Sequence, residues 1–241
     1  MRNIRRERTL KLLSVISVLI LGLAFVIRFG GPGILRLYVE SGMGDCRKSP
    51  VLCVRPQTEI VNPLINEEYL SGLLSYRLPQ MEISLPRDFK VVKELVTKVY
   101  YKKRKDKNTG SVAYLLYQNP GFFVTAFPQV KGYGIKNDYE FIRRVMYARN
   151  EDIKNISDAF FIIMKGIFTP DIGRKGNIKI ASFSIADKKG FITYNLDSAG
   201  NYFDCNMFNS QGDFFKVYLR DKNASIDMDK LAAIIASIKK I

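Results

Sequence analysis

The chain has 241 residues, a formal charge of +15 at pH 7 and no histidine. The absence of histidine excludes Ser–His–Asp and Cys–His nucleophile pairs, zinc sites with histidine ligands and pH switches built on imidazole. The 3 cysteines are too few for a four-cysteine zinc site. Apolar residues make up 47% of the chain and are well mixed with polar ones, which indicates a folded domain and not a disordered tail.

The N-terminal region is typical of a membrane anchor. Residues 12–27 carry no charge and no proline. At about 1.5 Å per residue, they make a helix of roughly 24 Å. The flanking Lys11 and Arg28 can extend their charges to the headgroups of a bilayer whose apolar core is about 30 Å thick. We therefore predict a transmembrane signal-anchor helix over residues 12–28, with the lipid bilayer as its partner.

The charges around this span predict its orientation. The segment before it contains one acid, Glu7, and five basic residues: Arg2, Arg5, Arg6, Arg8 and Lys11. The positive-inside rule makes residues 1–11 a cytoplasmic tail, and it puts the chain after about residue 30 outside the plasma (inner) membrane. The alternative is a signal peptide cleaved near Gly22 or Ala24, which exports the same domain.

Two regions are predicted after the anchor. Glycine and proline interrupt residues 34–65, and Asn66 can cap a short helix, so residues 29–80 are expected to be a linker with a small helical segment. Residues 81–241 are expected to be an extracytoplasmic α+β domain, in which an antiparallel sheet packs against helices.

Alternation and turn residues predict the elements of the first half of this domain. Strands are expected over residues 81–85, 89–92, 96–101, 112–117 and 122–127, with residues 96–117 forming a hairpin. Helices are expected over residues 138–148, capped by Asn137, and 159–168, opened by Ser157 or Asp158. The apolar run 160–164 in the second helix fits a buried core helix or, alternatively, a segment that dips into the membrane surface.

The last seventy residues predict an antiparallel meander followed by a helix. Strand-like runs cover residues 178–186, 191–196, 202–208 and 214–219, with polar, glycine-containing turns at residues 187–190, 197–200 and 209–213. Asp227 or Asp229 opens the terminal helix. Lys239 and Lys240 are expected at its C-terminal end, where cations suit the helix dipole.

Cys46 and Cys53 bracket a turn-forming segment with a proline. A disulfide between them fits an oxidising space outside the membrane, and closing this short loop would stabilise the fold by roughly 2 kcal/mol. Two free thiols and a redox-active pair remain alternatives, although the spacing is not Cys-x-x-Cys. Cys205 lies among aromatic residues and is expected to be a small core residue.

The densest basic cluster is residues 102–107, at the tip of the predicted hairpin. Its candidate contact residues are Lys102, Lys103, Arg104, Lys105 and Lys107. One interpretation is a solvated tip whose lysines prevent edge-to-edge pairing. Another is an electrostatic contact with anionic headgroups or an anionic envelope polymer. Nucleic acid is the least favoured partner, because an exported domain rarely meets it.

No motif in the chain specifies a reaction, and no cofactor or metal site is predicted. We expect a single-pass membrane-anchored envelope protein with an exported binding or scaffolding domain and no catalysis of its own. Its protein partner is left open. The alternative is a hydrolase or transferase that acts on envelope glycans through Asp and Glu alone. That chemistry needs two carboxylates about 5 to 10 Å apart across a groove.

Overall fold

The computed structural model describes residues 31–41, 46–47, 49–95, 98–103, 111–169, 177–197 and 200–241. The helices are α1 (Gly31–Ser41), α2 (Glu67–Gly72), α3 (Phe122–Ala126), α4 (Asp138–Tyr147), α5 (Ile156–Phe168) and α6 (Met228–Ala236). Short 3₁₀ helices lie at Pro50–Cys53, Pro128–Tyr133 and Asn150–Asp152. Within these described ranges, no helix is long and apolar enough to cross a bilayer. The predicted span over residues 12–28 lies outside them.

The same ranges contain eleven strands. They are β1 (Thr58–Val61), β2 (Leu74–Arg77), β3 (Met81–Leu85), β4 (Phe89–Leu95), β5 (Lys98–Lys103), β6 (Val112–Gln118), β7 (Lys179–Ile185), β8 (Lys188–Asp197), β9 (Gly200–Phe208), β10 (Phe214–Asp221) and β11 (Lys239–Lys240). Eight form one sheet in the order β1-β7-β8-β9-β10-β6-β5-β4, and three form a second sheet in the order β11-β3-β2.

The protein has an α+β fold with a mixed sheet, which corrects the expectation of a purely antiparallel one. Strand β1 pairs with β7 in parallel, with Thr58 opposite Ala181. It comes from the region predicted to be a linker, where Pro56 and Pro63 leave room for only a short strand. The predicted meander is confirmed, because β7, β8, β9 and β10 pair antiparallel in sequence order.

The turn between β7 and β8 differs from the predicted one. It consists of Ala186 and Asp187, and β8 already begins at Lys188. Gly190, which was predicted to be a turn residue, lies inside β8 opposite Met207. A Cβ atom at Gly190 would lie 2.1 Å from the carbonyl oxygen of Asn206. Gly190 therefore allows the backbones of β8 and β9 to lie close together, and it is not part of the turn.

Each face of the large sheet carries its own core. On one face, α6 and the small sheet cover buried residues such as Leu115, Phe203 and Val217. On the other face, α3, α4 and α5 enclose an aromatic cluster with Phe141 and Phe214 fully buried. Because side chains are buried on both faces, polar and apolar residues alternate less strictly along these strands than along the strands of a half-exposed sheet.

Local capping chemistry sets the helix starts. The side chains of Asn66, Asn137 and Asp227 each accept a hydrogen bond from a first-turn amide, so these three predicted caps are confirmed. The cap of α5 is Asn155, two residues before the predicted Ser157. Its run 160–164 contributes buried side chains to the core, which confirms the buried-helix interpretation.

The prediction of a strand over residues 122–127 is wrong, because this segment contains α3. Gly121 takes the left-handed conformation (φ 81°) that turns the chain into the helix. The Oδ1 atom of Asp138 accepts hydrogen bonds of 3.0 Å from the amides of Phe123 and Val124. The capping carboxylate thus comes from the start of α4 and could not be seen in the local sequence.

The C-terminus also departs from prediction. Helix α6 ends at Ala236, and Lys239 and Lys240 form β11, where they pair with β3 instead of extending the helix. Ser237 directs this change, because its Oγ accepts a hydrogen bond of 2.9 Å from the amide of Ser84 in β3.

Candidate functional site

A cavity of about 260 Å³ opens at the end of the large sheet where β7 ends and β10 begins. The β7–β8 turn, the β9–β10 turn and β11 form its walls, so three segments far apart in sequence meet there. We call it the lysine pocket. It is lined by Asp187, Lys188, Asn209, Ser210, Gln211, Phe215, Ala236, Ile238, Lys239 and Lys240.

A buried carboxylate organises one side of the lysine pocket. Asp213 is fully buried, and its Oδ1 accepts hydrogen bonds from the Tyr117 hydroxyl (2.7 Å) and the Lys240 Nζ (2.8 Å). Its Oδ2 accepts one from the Asn209 side-chain amide at 2.9 Å. Burial alone would raise the pKa of Asp213, but the bonds from Lys240, Tyr117 and Asn209 outweigh it and lower the pKa. This carboxylate therefore stays ionised at neutral pH.

Another wall comes from the β7–β8 turn. Ala186 has a positive φ of 53°, a conformation that L-residues with a side chain rarely adopt. It reverses the chain so that Asp187 and Lys188 line the cavity. Lys188 is only 3% exposed and donates a hydrogen bond to its neighbour Asp187. This pair neutralises itself and adds little net charge.

Lys239 is the lysine that keeps an unbalanced charge. Its backbone pairs with Glu82 in the small sheet, and its side chain is exposed. Over the part of the chain that the structure describes, Lys239 has no ion-pair partner. The amide and hydroxyl groups of Gln211 and Ser210 also line the cavity. An excess cation with neutral hydrogen-bond donors around it favours an anionic group such as a carboxylate or a phosphate.

The lysine pocket is poorly suited to acid–base chemistry. A general acid needs a carboxyl group that still holds its proton near neutral pH. Its two carboxylates, Asp187 and the underlying Asp213, each already accept a hydrogen bond from a lysine. Over the described residues, no group of acids and cysteines could hold a metal ion.

Two other buried polar groups lie away from the lysine pocket. Lys216 on β10 pairs with the buried Asp204 on β9 at 2.7 Å and also donates to the carbonyl of Phe168 at the end of α5. Lys165 of α5 is fully buried and donates to the carbonyls of Val54 and Ala148, the latter at 2.8 Å. Burial, and to a smaller extent the charge of Arg149, lowers the pKa of Lys165 to about 7. These lysines join neighbouring elements and do not line the lysine pocket.

The sequence analysis predicted no site at any of these lysines. Lys188, Lys239 and Lys240 carried no site signal, since each one alone is typical of a solvated surface lysine. Lys165 could have been recognised as a buried lysine, because it interrupts the apolar sequence of residues 159–168.

The structure places the predicted cysteines side by side. Cys46 and Cys53 are joined as a disulfide with their Cα atoms 5.8 Å apart, within the usual range for such a bond. Their oxidation in the cell stays a prediction. Cys205 is a free, buried residue in β9, as its pattern indicated.

The described part of the predicted basic cluster, Lys102 and Lys103, lies away from the lysine pocket. Lys102 and Lys103 end β5, while Arg104, Lys105 and Lys107 are outside the described residues. Lys102 pairs with Val112, and Val112 pairs with Arg220 near the C-terminal end of β10. The lysine pocket lies at the N-terminal end of β10, so Lys102 lies at the opposite end of the sheet.

Comparisons with known proteins identify no family. No protein-family model matches the chain, and no curated protein matches it. A crystal structure of a protein from Bacteroides thetaiotaomicron VPI-5482, determined at 1.50 Å resolution, aligns with a TM-score of 0.34 and 7% identity. The alignment covers 67% of this chain and 45% of that one, so the chain spans less than half of that protein. A likeness at this TM-score supports no conclusion about fold or function.

Proposed function

We propose that the protein is a single-pass membrane-anchored envelope protein whose exported domain binds an anionic group in the lysine pocket and performs no chemistry of its own. The uncharged run over residues 12–27 and the basic residues before it support the anchor and its orientation. The lysine pocket supports the binding role. Residues 1–11 face the cytoplasm in this proposal, and the α+β domain lies outside the plasma (inner) membrane.

The observation that carries the binding role is the charge arrangement around Lys239. Lys188 and Lys240 are each engaged by a carboxylate, whereas Lys239 is exposed and unpaired within the described residues. A pocket with one uncompensated cation attracts an anion and holds it with the hydrogen-bond donors of the β9–β10 turn. Such a site needs no catalytic group.

The alternative of a carboxylate-based hydrolase or transferase receives less support. Glycosidic chemistry needs one protonated carboxyl and one free carboxylate facing each other. Asp187 and Asp213 are both held by lysines, and the pKa of Asp213 is lowered instead of raised. The lysine pocket would therefore bind an acidic product better than it would protonate a leaving group.

The test is the thermal stability of the full chain in an uncharged detergent, with inorganic phosphate or acetate as the probe and chloride as the ionic-strength match. A ligand that binds the folded state raises the melting temperature. Phosphate, acetate or both should raise it for the parent chain and for Lys222→Gln, but not for Lys239→Gln. Lys222 is a matched control, because it is exposed and follows the far end of β10.

Two results would contradict the binding role. An equal rise in the parent, Lys222→Gln and Lys239→Gln would mean that the anion acts outside the lysine pocket. No rise with either probe would mean that the pocket does not recognise a simple anion.

A further inference from the structure

Helix α1 has one face bound to the domain and another that is left uncovered. Val39 is 3% exposed and packs with Ile153, Ala159 and Ile162, which belong to α5 and the segment before it. Leu37 and Tyr38 are 66% and 72% exposed. At about 100° per residue, Leu37 lies on roughly the opposite side of α1 from Val39, and Tyr38 lies between these two directions.

A further exposed apolar residue borders the contact between α1 and α5. Ile156 begins α5 and is 68% exposed. It lies one helical turn before Ala159, which packs in the same buried cluster as Val39. The uncovered face of α1 and the first turn of α5 thus present Leu37, Tyr38 and Ile156 to the surroundings.

The chain before α1 indicates what covers this face. The uncharged run ends at Ile27, and only residues 28–30 separate it from Gly31 at the start of α1. An extended chain spans at most about 3.6 Å per residue, so α1 begins within roughly 14 Å of the end of the run. If the run crosses a bilayer, α1 must begin close to the headgroups.

The side chains on the uncovered face suit that environment. Tyrosine is enriched at membrane–water interfaces, where its ring meets the acyl chains and its hydroxyl meets the headgroups. A leucine beside it adds apolar area of the kind that holds interfacial helices.

We propose that α1 lies along the outer surface of the bilayer, with Leu37 and Tyr38 inserted among the lipid headgroups. Because Val39 holds the same helix against α5, the α+β domain is fixed against the membrane and does not swing on a tether. This inference rests on the proposed anchor, and it adds a second, surface contact to the span itself.

The absence of tryptophan from the chain allows a clean test. The variant Tyr38→Trp, as the full chain in phosphatidylcholine vesicles, carries a single indole at the proposed contact. Vesicles with brominated acyl chains quench an indole that reaches the lipid. Leu64→Trp is the matched control, because Leu64 is an apolar residue that is 94% exposed and lies beyond the end of β1. Leu37→Trp provides a second reporter on the uncovered face.

We expect the indole emission of Tyr38→Trp to fall about twofold or more in brominated vesicles, with little change for the Leu64→Trp control. If the chain floats with the vesicles and the two reporters are quenched equally, the surface contact is wrong while the anchor stands. If the chain does not float with vesicles, the anchor fails and the surface contact falls with it. Shielding of Tyr38→Trp from both bromine and aqueous iodide, increasing with protein density, would instead assign the face to a second copy of the chain.

Discussion

The Nζ atom of Lys240 lies 2.8 Å from Oδ1 of Asp213, which ties the penultimate residue of the chain to the β9–β10 turn. The amide of Ile241 donates to the carbonyl of Gln80, so the C-terminal residues are held from two sides. The lysine pocket thus depends on the last residues of the chain, and a change at Asp213 should loosen both the turn and the C-terminus.

Asp213→Asn should lower the free energy of unfolding at pH 6 by about 2 kcal/mol, since it removes a buried charge that three donors satisfy. Because the folded pKa is lowered from 3.8, the ionised carboxylate stabilises the fold above about pH 4. This contribution is lost as the pH falls through the lower, folded pKa. Urea unfolding of both chains should therefore show a stability difference that shrinks below pH 4. A constant difference would contradict the role of the charge.

Lys165→Met should flatten the pH dependence of stability above neutral pH. The folded pKa of Lys165 is lowered from 10.5 to about 7, so the unfolded chain binds more protons between these values. Parent stability should therefore rise with pH from about 7 to 10, by an amount on the order of a few kcal/mol. Lys154→Met, at an exposed position, should keep the parent slope. Equal slopes in the parent and Lys165→Met would show that Lys165 does not titrate in this range.

Gly190→Ala should destabilise the fold by about 1 to 3 kcal/mol, because its Cβ would collide with the backbone of β9. Gly72→Ala is the matched control, since a Cβ atom there meets nothing within 4 Å. Urea midpoints of the two variants check this. Similar midpoints would mean that β8 and β9 can separate at Gly190 without loss.

Replacing Lys102, Lys103, Arg104 and Lys105 by Gln should leave the melting temperature nearly unchanged. For the chain from residue 31 onward, it should weaken binding to anionic vesicles by about tenfold or more at low salt, since each charge near such a surface contributes about 1 kcal/mol. The control changes four exposed lysines elsewhere to Gln: Lys154, Lys179, Lys189 and Lys222. An equal loss of vesicle binding in both quadruple variants would assign the effect to net charge. If the parent chain does not bind the vesicles, the interpretation of the cluster as a solvated tip stands.

Elements with local signals could be predicted from the sequence. The meander follows from polar turns between alternating strands, and Asn137 and Asp227 cap helices with their own side chains. The sequence does not predict strand β1, because its parallel partner β7 lies far away in sequence and no hairpin turn connects the two strands. Residues 122–126 carry strand-forming side chains, and the carboxylate that caps them as a helix belongs to Asp138.

The lysine pocket was beyond sequence analysis for a similar reason. Lys239 and Lys240 suit a helix end, and bonds to distant residues, such as that between Ser237 and Ser84, hold them in β11 instead. Their approach to Lys188 and Asn209 results from packing of the small sheet against the large one. The sequence does predict the anchor, and that prediction awaits measurement.

Labelling of a new cysteine tests the topology most directly. Leu64→Cys puts a thiol on a side-chain position that is 94% exposed, while Cys205 is buried and the Cys46–Cys53 pair is joined. If the domain lies outside the plasma membrane, as proposed, a membrane-impermeant maleimide should label Leu64→Cys in intact spheroplasts well above the parent chain. Labelling that appears only after the spheroplasts are lysed would put the domain in the cytoplasm and contradict the proposed function.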